Sequence, residues 1–567
     1  MRTSERLSGD ARSPGRTRAL LRAGGSRIGP FLQHFSWLRT PEPAAEPYVP
    51  GETRLARELF WPALTGAIGS LLVLWGASQP TSPFTLNHNT LQTLSDSAQI
   101  LLHDVRLWYF GAGAVRGHEL VGVVAVYVGM FLMIRAWVAV ARLTRRHPGT
   151  PIRRLVPVFV VWLLPLLVVA PLFSHDVFSY VGQGEQVSRG INPYLYPPYD
   201  LGQGANQFAS LVDSLWARAT SPYGPVFLGT AGQILSLVNH NELAAVLGFR
   251  VLAVFGVVLV AIFTPRLARS YGRDGAQAFV LVALNPLILF HLVAGEHNDA
   301  LMMGLLVAGL SLAREGHRLS GVVLCTLAGL VKAPALIGVV YVGWDWAGVG
   351  LPWRARLRPT AKALAVSGAT MVAVTYAVGL GWGWVLAVKN QGTVTSWMDP
   401  ATGIGELITR LVNAVGLGEH ASIINIVHGI GLAAAAVIAV SLLLRSDGGV
   451  SSLRAMGLTL LAVVVLGPVI QPWYFVWGII VLVPIAQGRT RSGLIVLSAV
   501  MSYLGLPGGK ELLSYLGRAG PLVLLAAVAV LVAVAVLSFA PRFYEVAKLR
   551  RQEAGRVAEL TVPSADS

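Results

Sequence analysis

The run Leu155–Leu172 contains no charged residue and no strongly polar one. At about 18 residues it is long enough to cross the hydrocarbon core of a bilayer as a helix. Comparable runs recur along the chain, and this repetition limits the possible folds more than any other feature. The runs are continuous rather than alternating, which excludes a membrane β-barrel. Of 567 residues, 54% are hydrophobic and only 13% charged, too little charge to keep a soluble chain of this length solvated. The expected fold is an all-α polytopic membrane protein, a bundle of about 14 transmembrane helices with external loops and interfacial helices. Among the expected spans are Leu59–Ala77, Glu119–Val140, Leu243–Thr264, Ala363–Leu380 and Ile423–Leu444, with an external loop at 78–117 and a last span at Pro521–Phe539.

The net charge of +16 would point to nucleic acid on a soluble protein. Here the arginines cluster in short loops between apolar runs, as in Arg142, Arg145, Arg146, Arg153 and Arg154, or Arg266, Arg269 and Arg273. That is the positive-inside pattern of cytoplasmic loops, so membrane lipids are expected neighbours and nucleic acid is not. Cys325 is the only cysteine, which rules out an internal disulfide and leaves packing as its expected role. Residues 1–57 carry ten arginines against five acids and read as a disordered cytoplasmic tail. Residues 58–540 form the transmembrane domain, with an external loop at 174–221, and 541–567 a second basic cytoplasmic tail. No cleavable signal peptide is expected, since the first apolar span starts near Leu59.

Following the charges along the chain puts both termini inside. It also brings Asp176, His297, Asn298, Asp299, Lys332, Gln471 and Trp473 to the external side, although none of them was used to set the topology. Asp176 follows His175 at the end of the Leu155–Leu172 run. A carboxylate at a membrane boundary is costly unless solvated or paired. It suits a general base for a hydroxyl acceptor, with partial burial expected to raise its pKa; the plain alternative is a helix cap. Asn192 and Tyr194 lie in Gly190–Tyr199, GINPYLYPPY, which the prolines make stiff and extended. Its tyrosines suit an interfacial belt or stacking on sugar rings. Tyr223 lies in a second Gly/Pro-punctuated motif, Ser-Pro-Tyr-Gly-Pro. His297-Asn298-Asp299 opens a helix, where a cap needs only one polar residue. Lys332 either snorkels to the interface or serves as a cation for a lipid phosphate, and Arg250 is a second candidate for that cation. The apolar runs on either side of Lys332 are short for spans, so a broken or tilted pair is expected around Lys332-Ala333-Pro334. Gln471-Pro472-Trp473-Tyr474 opens another span as an anchor or a substrate contact. No second histidine or carboxylate lies at ligand spacing, so no metal is expected. No nucleotide-binding motif stands in a credible context, and no cofactor is expected.

The run Ser174-His175-Asp176-Val177-Phe178-Ser179-Tyr180, the later Gly-x-Asn-Pro-Tyr and Ser-Pro-Tyr-Gly-Pro, and His297-Asn298-Asp299-Ala300-Leu301 resemble a known family in their order. They are similar to the actinobacterial α-(1→6)-mannopyranosyltransferases of the MptA/MptB type, which belong to the GT-C glycosyltransferases. The resemblance covers roughly residues 55–540. It implies a GT-C-like bundle, a polyprenyl-phosphate mannose donor, a lipid-anchored α-1,6-mannan acceptor, inversion at the anomeric carbon and no metal. Asp176 would be the base, and His297, Asp299 and Lys332 would hold the donor. The active site would face outward from the cell membrane. The chain departs from many GT-C enzymes in placing this acid after the third span rather than the first. A transporter or flippase for lipid-linked sugars, or a non-catalytic membrane subunit, would also account for the spans. A transporter should show internal repeats, and the sequence has none.

Overall fold

A computed structural model describes residues 52–78, 118–202, 206–387, 399–414 and 422–504. The basic tails lie outside them, except that the first helix already begins at Glu52, inside the stretch expected to be disordered. The expected external loop at 78–117 and the expected last span near Pro521–Phe539 also lie outside. Every element in the described residues is a helix. Five helices are long and apolar enough to cross a membrane, and a bent pair makes up to six. The chain is a helical membrane protein.

The five long helices coincide with five expected spans: α1 (Glu52–Ala77), α2 (His118–Arg146), α6 (Glu242–Ser270), α11 (Trp353–Val378) and α13 (Ser422–Leu444). The other described segments are shorter than uniform spans, and the breaks have causes. Helix α3 (Val156–Leu166) stops one residue beyond Pro165, and a second proline at 171 helps keep the chain non-helical as far as Asp176. After α7 (Gly275–Ala283), Asn285-Pro286 bends the chain by 55° into a π-helical stretch, Ile288–Ala294. Asn285 stabilises that bend by bonding Leu281 O, Leu287 N and Ser498 Oγ. After α9 (Arg318–Gly329), Lys332 precedes a 3-10 turn, Ala333–Leu336, which leads into α10 (Ile337–Asp345). This matches the broken pair expected around Lys332-Ala333-Pro334. Hydropathy reports how apolar a run is, not where its backbone breaks.

The short helices α4 (Asp176–Ser188) and α5 (Pro225–Leu237) pack on each other. Helix α8 (Asp299–Arg314) lies backbone to backbone on α6. A Cβ on Gly256 would stand 2.3 Å from the Ala300 carbonyl, and one on Gly304 would stand 2.5 Å from Gly256 O. Small residues at such crossings permit close helix contact in membranes. Here the contact seats the start of α8, and with it Asp299, deep in the bundle. Helices α12 (Pro400–Ala414), α14 (Val450–Leu466), α15 (Phe475–Leu482) and α16 (Gly488–Tyr503) are the remaining described α-helices of eight residues or more.

Candidate active site

Two chain segments meet where α3 has unwound and α8 begins. Leu172 N donates to Ala294 O at 3.0 Å, joining them. Phe173 and Glu296 both adopt positive φ, +62° and +57°, which is unfavourable for non-glycine residues and concentrates at functional sites. Arg250 of α6 ties the two segments together. Its buried guanidinium donates to the carbonyls of Leu167, at 3.1 Å, and Val169 on one side, and to the Glu296 carboxylate on the other. Arg250, proposed from sequence as a cation for a phosphate, is therefore already engaged in bracing the backbone.

The bracing brings Asp176 and His297 together. Asp176 is the first residue of α4, and its N–H donates to Ser174 Oγ at 3.1 Å. Its carboxylate lies 3.3 Å from His297 Nδ1, with Asp176 19% exposed and His297 fully buried. The approach is not an aligned hydrogen bond. Burial pushes the Asp176 carboxyl upward, but His297, Lys332 and Ser174 together outweigh it and hold the group below the usual carboxylate range. This corrects the expected upward shift: the sequence shows the burial but not the positive groups folded against it.

Asp299 is fully buried and receives Lys332 Nζ at 2.9 and 3.2 Å and Trp477 Nε1 at 2.6 Å. It is thus more than a helix cap. Lys332 is buried beneath the Tyr474 ring, 4.4 Å from its centroid, and does not snorkel. The Ser-Pro-Tyr-Gly-Pro motif explains part of this packing. A Cβ on Gly224 would stand 2.1 Å from Leu330 O. Without one, Gly224 N and Val226 N donate to Val331 O and Leu330 O. This contact docks the segment that carries Tyr223 against the turn leading into Lys332.

Trp473 stacks on His297 with centroids 3.7 Å apart. Trp473 Nε1, both amide atoms of Asn298 and His297 Nε2 are buried with no hydrogen-bond partner among the described residues, and the buried Tyr180 hydroxyl lies beside Tyr223. Buried polar groups are rarely left unsatisfied, so this cluster is suited to a polar ligand such as a sugar. Gln471 stands half-buried immediately before the turn that carries Trp473.

Three sequence candidates have local partners. His175 Nδ1 lies 3.1 Å from Asp213. Asn192 bonds Leu380 O and Tyr194 N, and the Tyr194 hydroxyl donates to Tyr223 O. These bonds fold Gly190–Tyr199 into a turn rather than the extended segment its prolines suggest. Sequence reasoning passed over Tyr180, one helical turn after Asp176, and Trp477, four residues after Trp473. Spacing of i, i+4 was the available signal for both. Among the described residues, no three His, Cys, Asp or Glu side chains converge to hold a metal.

Long apolar helices with a polar cluster buried where they break define an integral membrane protein. The chain belongs to the α-(1→6)-mannopyranosyltransferase family: residues 63–348 match that family's N-terminal domain, and residues 401–538 match the MptB C-terminal domain. By family it is a glycosyltransferase that transfers mannose. It is 29% identical over 498 residues to α-(1→6)-mannopyranosyltransferase B of Corynebacterium glutamicum, covering 81% of this chain and 79% of that protein. It is 33% identical over 386 residues to α-(1→6)-mannopyranosyltransferase A of Mycobacterium tuberculosis, covering 66% and 73%. No solved structure matches.

Proposed function

We propose that the protein is an inverting, GT-C-type glycosyltransferase. It moves mannose from polyprenyl-phosphate mannose to a lipid-anchored α-1,6-mannan at the outer face of the cell membrane, with about fourteen passes and both termini inside. The observation that carries this reading is the Asp176–His297 contact at the rim of a buried cluster of unpartnered polar atoms. Arginine-rich loops at the opposite helix ends support the outward orientation.

Asp176, held ionised, takes the proton from the acceptor O6–H as O6 bonds to the anomeric carbon. The bond from that carbon to the phosphate oxygen breaks, and its electron pair leaves with polyprenyl phosphate. Attack from the face opposite the phosphate turns a β donor into an α product. His297 orients the Asp176 carboxylate. Asn298, Trp473 and Tyr180 hydrogen-bond sugar hydroxyls, with Tyr223 and Gln471 at the margin. Lys332, whose charge acts on both Asp176 and Asp299, is the cation facing the donor phosphate. His175, Asn192 and Tyr194 act beside the site by shaping the external loop. Fixing donor and acceptor at one depth removes much of the orientational cost of their reaction.

Purified protein given radiolabelled mannosyl phosphopolyprenol and a short α-mannoside should form an α-1,6-linked product and release polyprenyl phosphate. Transfer from a nucleotide sugar, with the lipid-linked donor left intact, would overturn the donor assignment.

A further inference from the structure

The far end of α8 carries a second site. The helix has 16 residues, so Arg314 lies about 22 Å along it from Asp299. There a cavity of about 130 Å³ opens between α6, α8, α10 and α14, with Arg314, Arg318, Tyr271, Asp345, Trp346 and Ser452 among its lining residues. The Arg314 guanidinium lies 4.8 Å above the Tyr271 ring and that of Arg318 lies 5.8 Å from the Trp346 ring. Both arginines are exposed, and neither has an acidic partner among the described residues. The adjacent Glu315 is engaged elsewhere, with Arg266 at 2.7 and 3.2 Å. The one carboxylate in the cavity, Asp345, accepts Gly449 N–H.

The cavity wall is built rather than left over from loose packing. Arg356 is fully buried and donates to the carbonyls of Trp344, Asp447 and Leu351 at 2.9, 2.7 and 3.1 Å. Gly350 N donates to Asp447 O at 2.9 Å. Gly348, Gly350, Gly448 and Gly449 all hold positive φ. These contacts lock the loops after α10 and α13 to each other behind the cavity. Two unpaired guanidiniums over aromatic faces, in a fixed and partly enclosed cleft, suit a phosphate group: the fork geometry of arginine matches its oxygens, and the rings keep the forks in place.

We propose that this cavity binds a phosphate ester, distinct from the donor phosphate near Lys332 and about one helix length away from it. The chemistry is shared by an anionic phospholipid headgroup and by a soluble phosphate. The test is native mass spectrometry of the detergent-purified full chain titrated with phosphatidylglycerol or phosphatidylcholine, alongside thermal unfolding with and without millimolar inorganic phosphate. Arg314→Gln/Arg318→Gln should lower phosphatidylglycerol retention by about tenfold or more, the loss expected for charge-assisted contacts, and leave phosphatidylcholine retention unchanged. That result assigns the lipid source. Loss of a phosphate-induced rise in Tm, with lipid retention unchanged, assigns the soluble source. Arg314→Lys/Arg318→Lys, which keeps the charges, should retain part of the binding and covers the case in which the glutamine variant does not fold. If the charge-removing variant and the wild type behave alike in both assays, the proposal is overturned.

Discussion

The two ends of α8 carry charged groups in opposite settings. At Asp299 the charge is fully buried and paired with Lys332, 33 residues along the chain. At Arg314 the charges are exposed, and the neighbouring ion pair, Arg266–Glu315, has side chains 42% and 27% accessible. An exposed pair contributes little to stability, whereas breaking a buried pair leaves an uncompensated charge in a medium that solvates it poorly. Burial of the charge, rather than the charge itself, therefore distinguishes the two ends of α8.

Breaking the buried pair should have the largest effect on stability. Lys332→Met should cost about 3–5 kcal/mol, measured by thermal unfolding in micelles, and Lys332→Met/Asp299→Leu should recover much of that loss. If the single and double variants lose equal stability, the coupling across α8 and the 332 turn is absent. The second buried pair offers a milder test. Glu296→Gln keeps a hydrogen-bond acceptor for Arg250 but removes its counter-charge, and should cost about 1–3 kcal/mol. Its turnover should fall as well, because the turn it braces carries His297; loss of stability with unchanged turnover would show that the brace does not position the site. At the arginine end, Glu315→Gln should cost about 1 kcal/mol or less, and a loss as large as that of Lys332→Met would erase the contrast between the two ends.

Electrostatics sharpen the same contrast. The positive groups around Asp176 hold its pKa below the usual carboxylate value of 3.8. Its ionised form therefore persists above that value and is lost as pH falls through the lower folded pKa. The acid limb of kcat assigned to this group should lie below about pH 4, since a general base acts only when deprotonated. A limb centred near 6, shifted by substitution at His297, would mean that burial prevails over the positive neighbours.

Part of this could be read from the sequence. Asp176, His297, Asp299, Lys332 and Trp473 stood out because polar residues interrupt apolar runs only at a cost, and the structure brings their surroundings together. Their pairings were not legible. Asp299 meets Lys332 and Trp477 through tertiary packing, and nothing in local spacing links those positions. The role of Arg250 was hidden for the same reason, since its partners are Glu296 and backbone carbonyls exposed only once α3 unwinds. The long spans were legible from hydropathy, and so was the break at Lys332, because the apolar runs beside it are short; the breaks at Pro165 and Pro286 depend on backbone geometry that an apolar window does not register.

The most direct test of the central claim is mannosyl transfer by Asp176→Asn, in membranes supplied with purified mannosyl phosphopolyprenol and an α-mannoside. The substitution keeps the size of the side chain and removes its basicity, so turnover should fall about 10²–10⁴-fold, the range for a lost general base, with protein abundance and unfolding temperature close to wild type. Transfer at a near-normal rate would contradict the assignment of Asp176 as the base.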